Sequence, residues 1–231
     1  MKTVEQLTKD QETIHEQIEN LAITHHLKKS PIYDGVGNIS EYLKSPMKIM
    51  WILKEAYDIN NGDGDWEAYN LFNCEESCRI PTYRGMANVM YGFLNDIYYE
   101  DQDFPKMNIQ MLNLLNSIAY INVNKMPAIQ ETKSNDSNMR QNYELWKDII
   151  NIQINEYAPD VIIFAGTFKY FYNPSNMEYK ECFENIAMSS KKAIVYHHNG
   201  KWLISVNHPS RYGEVYIDTL IDALKYVKER L

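Results

Sequence analysis

Cysteine is scarce, with Cys74, Cys78 and Cys182 the only three in 231 residues. An odd number cannot all pair as disulfides. Cys74 and Cys78 are also separated by three residues rather than the two usual in zinc ribbons and redox pairs. Free thiols are expected, and neither a disulfide scaffold nor a metal site. Long apolar runs are missing too: the longest, Ile49 to Leu53 and Val161 to Gly166, fall far short of the roughly 20 residues that cross a bilayer. The N-terminal residues are rich in Glu, Gln, Lys and Thr, without the apolar stretch of a secretory signal, so a cytoplasmic protein with no membrane association is expected. Positive charge is in short supply: 23 Lys and Arg against 31 Asp and Glu leave a formal net charge of −8. Non-specific affinity for nucleic acid comes largely from basic side chains neutralising phosphates. A DNA partner would therefore need a local basic rim, for which Lys125, Lys133, Arg140 and Arg211 are the candidates.

What is present is ordinary globular material, 45% apolar and 23% charged, which rules out a mainly disordered or collagen-like chain. A chain of this length can bury roughly 70–75% of its unfolded surface in one core. Val4, Leu7, Ile14, Ile18, Leu21 and Ala22 recur at helical spacing and predict a helix from about Val4 to His26. Asn38 or Ser40 could cap a short helix through Leu43. Met47 to Leu53 reads as a strand buried on both faces of a parallel sheet, and Ser117 to Ile121, Val161 to Phe164 and Trp202 to Val206 have the same character. Helical patterns at 83–99, 107–116, 139–157 and 166–172 lie between them, so right-handed crossovers and a mainly parallel sheet follow. Lys192 to His198 reads as a further strand, joined to the last by Asn199-Gly200, a type I′ hairpin signal. An amphipathic helix closes the chain from Glu214 to Leu231, and residues 128–138 read as a polar loop. The expected fold is α/β: a three-layer α/β/α domain over 47–231, with a central, mainly parallel four-stranded sheet and an antiparallel edge hairpin. Residues 1–46 are expected to form a helical extension packed on it.

In open α/β sheets the ligand crevice lies beyond the carboxyl ends of the strands. The four predicted strands end in Lys54-Glu55-Ala56-Tyr57-Asp58, Asn122-Val123-Asn124-Lys125-Met126-Pro127, Ala165-Gly166-Thr167 and Asn207-His208-Pro209-Ser210. Together these ends resemble the uracil-DNA glycosylase superfamily. Lys-Glu-Ala-Tyr-Asp looks like a variant of the Gly-Glu-Ala-Pro-Gly motif of its thermostable bacterial branch, Asn-Val-Asn-Lys is similar to an Asn-Val-Val-Lys stretch whose Asn reads the base edge, and His-Pro-Ser matches a late-strand motif. Pro81-Thr82-Tyr83-Arg84-Gly85 looks like the segment that carries an aromatic platform. The resemblance covers roughly residues 47–225. The Gly and Pro of the first motif are replaced by Lys54 and Tyr57, and cysteines matching the branch's iron-sulfur cluster are missing, so no cluster or other cofactor is expected.

The resemblance implies a monofunctional DNA glycosylase, a monomer that flips a uracil or another damaged or modified base out of the helix and hydrolyses its N-glycosidic bond with water. Glu55 would orient the water or offset the oxocarbenium-like charge on the sugar. His208 would donate to a base carbonyl that becomes more anionic in the transition state. Asn122, Tyr83, Ala56 and Tyr57 would hold the base, and Lys125, Ser210, Arg211 and Tyr212 would contact the DNA. Two other readings stand beside it, a binding protein of this fold without turnover and a hydrolase of free nucleosides or nucleotides. Each residue also has a plainer role open to it: Glu55 as a strand-end ion pair, Asn122 and Asn124 as turn residues, His208 as a buried hydrogen-bonded ring. Asp58, Asp63 and Asp65 with Gly62 and Gly64 fall short of a calcium loop and read as a solvated turn.

Overall fold

The computed structural model describes residues 2–58, 62–102, 108–128, 135–171, 184–186, 193–198, 200–211 and 213–231. Lys133, Cys182, Asn199 of the expected hairpin turn and Tyr212 lie outside them. Thr3 opens α1 (Val4–Thr24) with a reciprocal cap: its hydroxyl accepts the Gln6 N–H at 3.2 Å and the Gln6 side chain accepts the Thr3 N–H at 2.9 Å, which satisfies two first-turn donors. Two short strands follow, β1 (Ile32–Tyr33) and β2 (Gly35–Val36), and then α2 (Ile39–Lys44). Asn38 caps α2 by accepting the Glu41 N–H at 3.1 Å. β3 (Ile49–Leu53) is buried at every position, as a continuous apolar run must be when both faces of its sheet are covered. β4 (Trp66–Glu67) pairs only with β1, in a separate two-stranded parallel sheet. The remaining elements are α3 (Pro81–Asn95), α4 (Ile109–Asn113), β5 (Ala119–Asn122), α5 (Asp136–Tyr157), β6 (Val161–Ala165), α6 (Phe168–Phe171), β7 (Glu184–Ile186), β8 (Ala193–His198), β9 (Lys201–Val206) and α7 (Glu214–Lys228).

The main sheet runs β2-β5-β3-β6-β9-β8-β7. β5, β3, β6 and β9 are mutually parallel, and β2, β8 and β7 run antiparallel to their neighbours. β3 shows how the core is divided: Ile49, Trp51 and Leu53 pack with residues of α3, α4 and α7, whereas Met50 and Ile52 pack with residues of α1, α2 and α5. Alternate side chains thus feed two apolar clusters, one on each face, and each fully buried Ile or Val contributes about 1.5–3 kcal/mol.

The four predicted core strands are the four parallel ones, in register across one line: Leu53 is opposite Asn122, and Ala165 opposite Val206. Three expectations change. β2 lies inside residues 1–46 and forms an edge of the main sheet, so that segment completes the sheet as well as packing on it; a two-residue strand is too short to leave a period. The helix expected at 83–99 starts at Pro81 and stops at Asn95, where Asp96 turns left-handed at φ 58°. α5 begins at Asp136, capped by Asn135, so the polar stretch before it is shorter than expected.

Candidate functional site

The parallel strands present their carboxyl ends on one rim, and hydrogen bonds past those ends tie the rim together. Val123 N–H donates to the Leu53 carbonyl at 2.9 Å and Asn124 N–H to the Lys54 carbonyl at 2.8 Å. Thr167 donates its hydroxyl to the Ile52 carbonyl at 2.8 Å, and Gly166 N–H donates to the Val206 carbonyl at 2.7 Å. Asn122, Glu55, Gly166 and His208 therefore lie within two residues of the ends of four adjacent strands. With strands spaced about 4.8 Å apart, the carboxyl ends of β3 and β9, two strands apart, are separated by about 10 Å. Gly166 has φ +74°, and a Cβ there would meet the His208 backbone nitrogen at 3.4 Å, an ordinary van der Waals contact, so it is the left-handed turn after β6 rather than crowding by His208 that calls for glycine.

His208 is half-buried. Its Nδ1 lies 3.2 Å from the Ser210 N–H and 3.0 Å from the Ser210 hydroxyl. A backbone N–H can only donate, so Nδ1 is an acceptor and the neutral ring carries its proton on Nε2. Burial first, and then the nearby positive charge of Lys54, push the imidazole down to about 4 from an ordinary 6.5. The neutral form is thus favoured by the fold: the stability this contributes is fully present above about pH 6.5 and is lost as pH falls towards 4. In a side-chain NMR titration the His208 ring resonances are expected to stay flat from pH 8 to about 5.5 and to move only below that. A midpoint near 6.5 would mean that the ring is solvated and free of Ser210.

Glu55 is half-buried and accepts the Asn124 side-chain N–H at 3.2 Å. Asn124 in turn closes its own turn, donating to the Met126 carbonyl at 3.3 Å and accepting the Met126 N–H at 3.1 Å. Asn122 is 1% exposed. Its side chain interacts with the Tyr120 hydroxyl, which also takes a hydrogen bond from Tyr83; burial raises Tyr120 to about 12, with Asn122 and Tyr83 opposing the rise. Its Oδ1 has no hydrogen-bond partner among the described residues. A buried acceptor left unpaired costs about 1–3 kcal/mol, and this one sits at a strand's carboxyl end.

Two expected contacts do not survive. Lys125 is 1% exposed and paired with Asp34 at 2.8 Å, so it cannot reach DNA; the strand end turns it inward, where a carboxylate holds it. Tyr83 is 4% exposed, with its ring edge-on to Phe72 and Tyr120. Both contacts enclose it, so it meets Asn122 through the Tyr120 hydroxyl rather than offering an open face. Ala56 is buried and tied by its carbonyl to Ala128 N–H at 3.0 Å. Tyr57 is 39% exposed at the rim and bridges to Ala128. Ser210 is exposed beside His208, and the Arg211 side chain lies outside the described residues. Arg140 is committed to the Tyr170 and Lys169 carbonyls at 3.0 and 2.6 Å. Asp58 accepts Gly64 N–H and Trp66 Nε1–H, each at 3.2 Å, as a turn carboxylate does. Tyr120 and Asp34 belong to no motif, whereas Lys54 and Asn124 stand in the strand-end segments beside Glu55 and Asn122, and that place is the signal for them.

Among the described residues no group of three or more His, Cys, Asp or Glu could hold a metal ion, and no helix is long and apolar enough to cross a membrane. Compared with known proteins, the chain matches no family model and has no significant match among curated proteins.

Proposed function

We propose that this chain is a monofunctional DNA glycosylase that flips out uracil or another damaged or modified base and hydrolyses its N-glycosidic bond with water. The observation that carries the reading is the neutral His208, its Nδ1 occupied by Ser210 and its proton on Nε2, on the same rim as the Glu55 carboxylate and the unpaired Asn122 Oδ1. As the bond breaks, negative charge gathers on a base carbonyl, and an Nε2–H donor stabilises it without giving up its proton. Glu55, steadied by Asn124, orients the attacking water and faces the cationic sugar. Ser210 and Tyr57, both exposed on that rim, are the side chains that a flipped nucleotide would meet first. The three-layer α/β/α arrangement, a monomeric state and a cytoplasmic location belong to the same reading.

The pairing pattern favours one class of base. Asn122 Oδ1, which is buried and so has to be uncovered as the base enters, needs a ring N–H, and His208 needs a carbonyl oxygen. Uracil offers N3–H between two carbonyls and hypoxanthine N1–H beside one, whereas neutral cytosine and adenine have no ring N–H on that edge. Sites built to pair with a donor reject analogues that lack it, by up to about 10⁴–10⁵-fold. Oligonucleotides carrying a single uracil, hypoxanthine, 5-hydroxymethyluracil, cytosine or adenine, scored for abasic sites by alkaline cleavage, are expected to lose base in the first three only. Neither release nor binding with any of them would sink the reading. The burial of Lys125, which removes a cation from the rim, favours one alternative, hydrolysis of free nucleosides or nucleotides. Release from those but not from any oligonucleotide would identify it.

A further inference from the structure

Directly behind Asn122 lies a charged cluster that touches no surface. Lys125 places its ammonium 2.8 Å from both carboxylate oxygens of Asp34 and 2.8 Å from Gln153 Oε1, which occupies its three donors. Gln153 Nε2 donates back to Asp34 Oδ1 at 2.7 Å, and both side chains of the ion pair are fully buried. Asp34 Oδ2 then accepts the Asn122 backbone N–H at 2.6 Å. This bond falls where the ladder runs out: β2 pairs Gly35 with Tyr120, and Asp34, one residue before it, reaches the next free N–H of β5 with its side chain.

A closed cluster of this kind has no valence left for a ligand, so it is not a site in itself. Nor is stability a sufficient reason for it, since a buried ion pair is commonly no better than packed apolar side chains of the same volume. What the cluster does that an apolar core could not is clamp the backbone of Asn122, a strand-end residue whose side-chain oxygen has no partner among the described residues. We propose that Asp34, locked by Lys125 and Gln153, is a positioning residue for Asn122. It fixes the strand end from behind while Tyr120 holds the amide from the side, so that Oδ1 meets the base edge already aimed. The inference rests on the glycosylase reading and assigns residues 1–46 a share in the site.

A double-mutant cycle tests it. Asp34→Leu with Lys125→Met removes both charges together, so neither is stranded, and with them the acceptor of the Asn122 N–H; the pair of changes is combined with Asn122→Ala. In the presence of Asn122, kcat/KM on a uracil oligonucleotide is expected to fall about 10–100-fold, mostly through KM, as misplacement of a binding group does. In the Asn122→Ala background the same pair of changes is expected to add less than about 2-fold, because its effect passes through Asn122. Equal losses in both backgrounds, or none in the first, would overturn the inference. Gln153→Leu, which leaves the ion pair intact, serves if the charge-free variant does not melt cooperatively. It should show a smaller loss, about 3–10-fold, with the same dependence on Asn122, and equal losses in the two backgrounds count against the proposal here too. A wild-type protein that releases no base overturns the parent reading and this one with it, whereas an active protein with an additive cycle overturns this one alone.

Discussion

His208→Ala is expected to slow base release about 100- to 1,000-fold, with KM for the oligonucleotide changed by less than about 3-fold, because the lost hydrogen bond matters most when the leaving base carries its full negative charge. The geometry also says which replacement should do better. Ser210 occupies Nδ1, so the useful group is a single neutral N–H at the Nε2 position, and His208→Gln can present one from a side chain of similar reach. It should recover part of the rate, where His208→Asp should not. Single-turnover kinetics with a uracil oligonucleotide measure this directly. A loss of only a few-fold for the alanine variant would remove His208 from the chemistry and leave Pro209 and Ser210 as a structural turn.

The second large effect is on stability. Asp34→Ala leaves the fully buried Lys125 ammonium without its counter-charge, and breaking a buried pair from one side typically costs 3–5 kcal/mol, about the largest penalty a single substitution brings. At about 2–4 °C per kcal/mol for a domain of this size, the melting temperature should drop by roughly 6–20 °C. Burial already pulls the Lys125 ammonium below the ordinary lysine value against the opposing pull of Asp34. Without Asp34 the lysine is expected to shed its proton more readily, so part of the lost stability should return as pH is raised towards 9–10. Urea unfolding at pH 7 and 9.5 measures both. A loss below about 1 kcal/mol would show that the ammonium escapes to water.

How far a sequence could lead here depended on the range of the interaction. The parallel strands were legible because Ile49 to Leu53 and Val161 to Ala165 are apolar without alternation, a pattern that suits a strand buried on both faces of its sheet. Glu55, Asn122 and His208 were legible as candidates because strand ends are where an α/β sheet exposes its chemistry, and all three lie within two residues of such an end. Lys125 was misjudged because lysines are almost always at the surface, and its partner is 91 residues away. Nothing local distinguishes a lysine that will find a buried carboxylate from one that will not. Tyr83 was misjudged for a related reason: one of 18 tyrosines, it is enclosed by Phe72 and Tyr120, two rings brought together only by the fold. β2 was invisible because its two residues, Gly35 and Val36, are too few to leave a period and are held in place by pairing with β5.

The interior position of β9, between β6 and β8, sets the order in which the four strand ends come together. As the chain emerges from the ribosome, β3, β5 and β6 can associate early, but the sheet then ends at an open β6 edge until residues 201–206 arrive, and His208 follows two residues later. Domains fold as units during synthesis, and in this one the imidazole is delivered last, by the strand that fills the gap. A nascent chain halted before β9 would hold Glu55 and Asn122 without His208. On the glycosylase reading, the site would therefore be completed only once β9 is seated between its two neighbours.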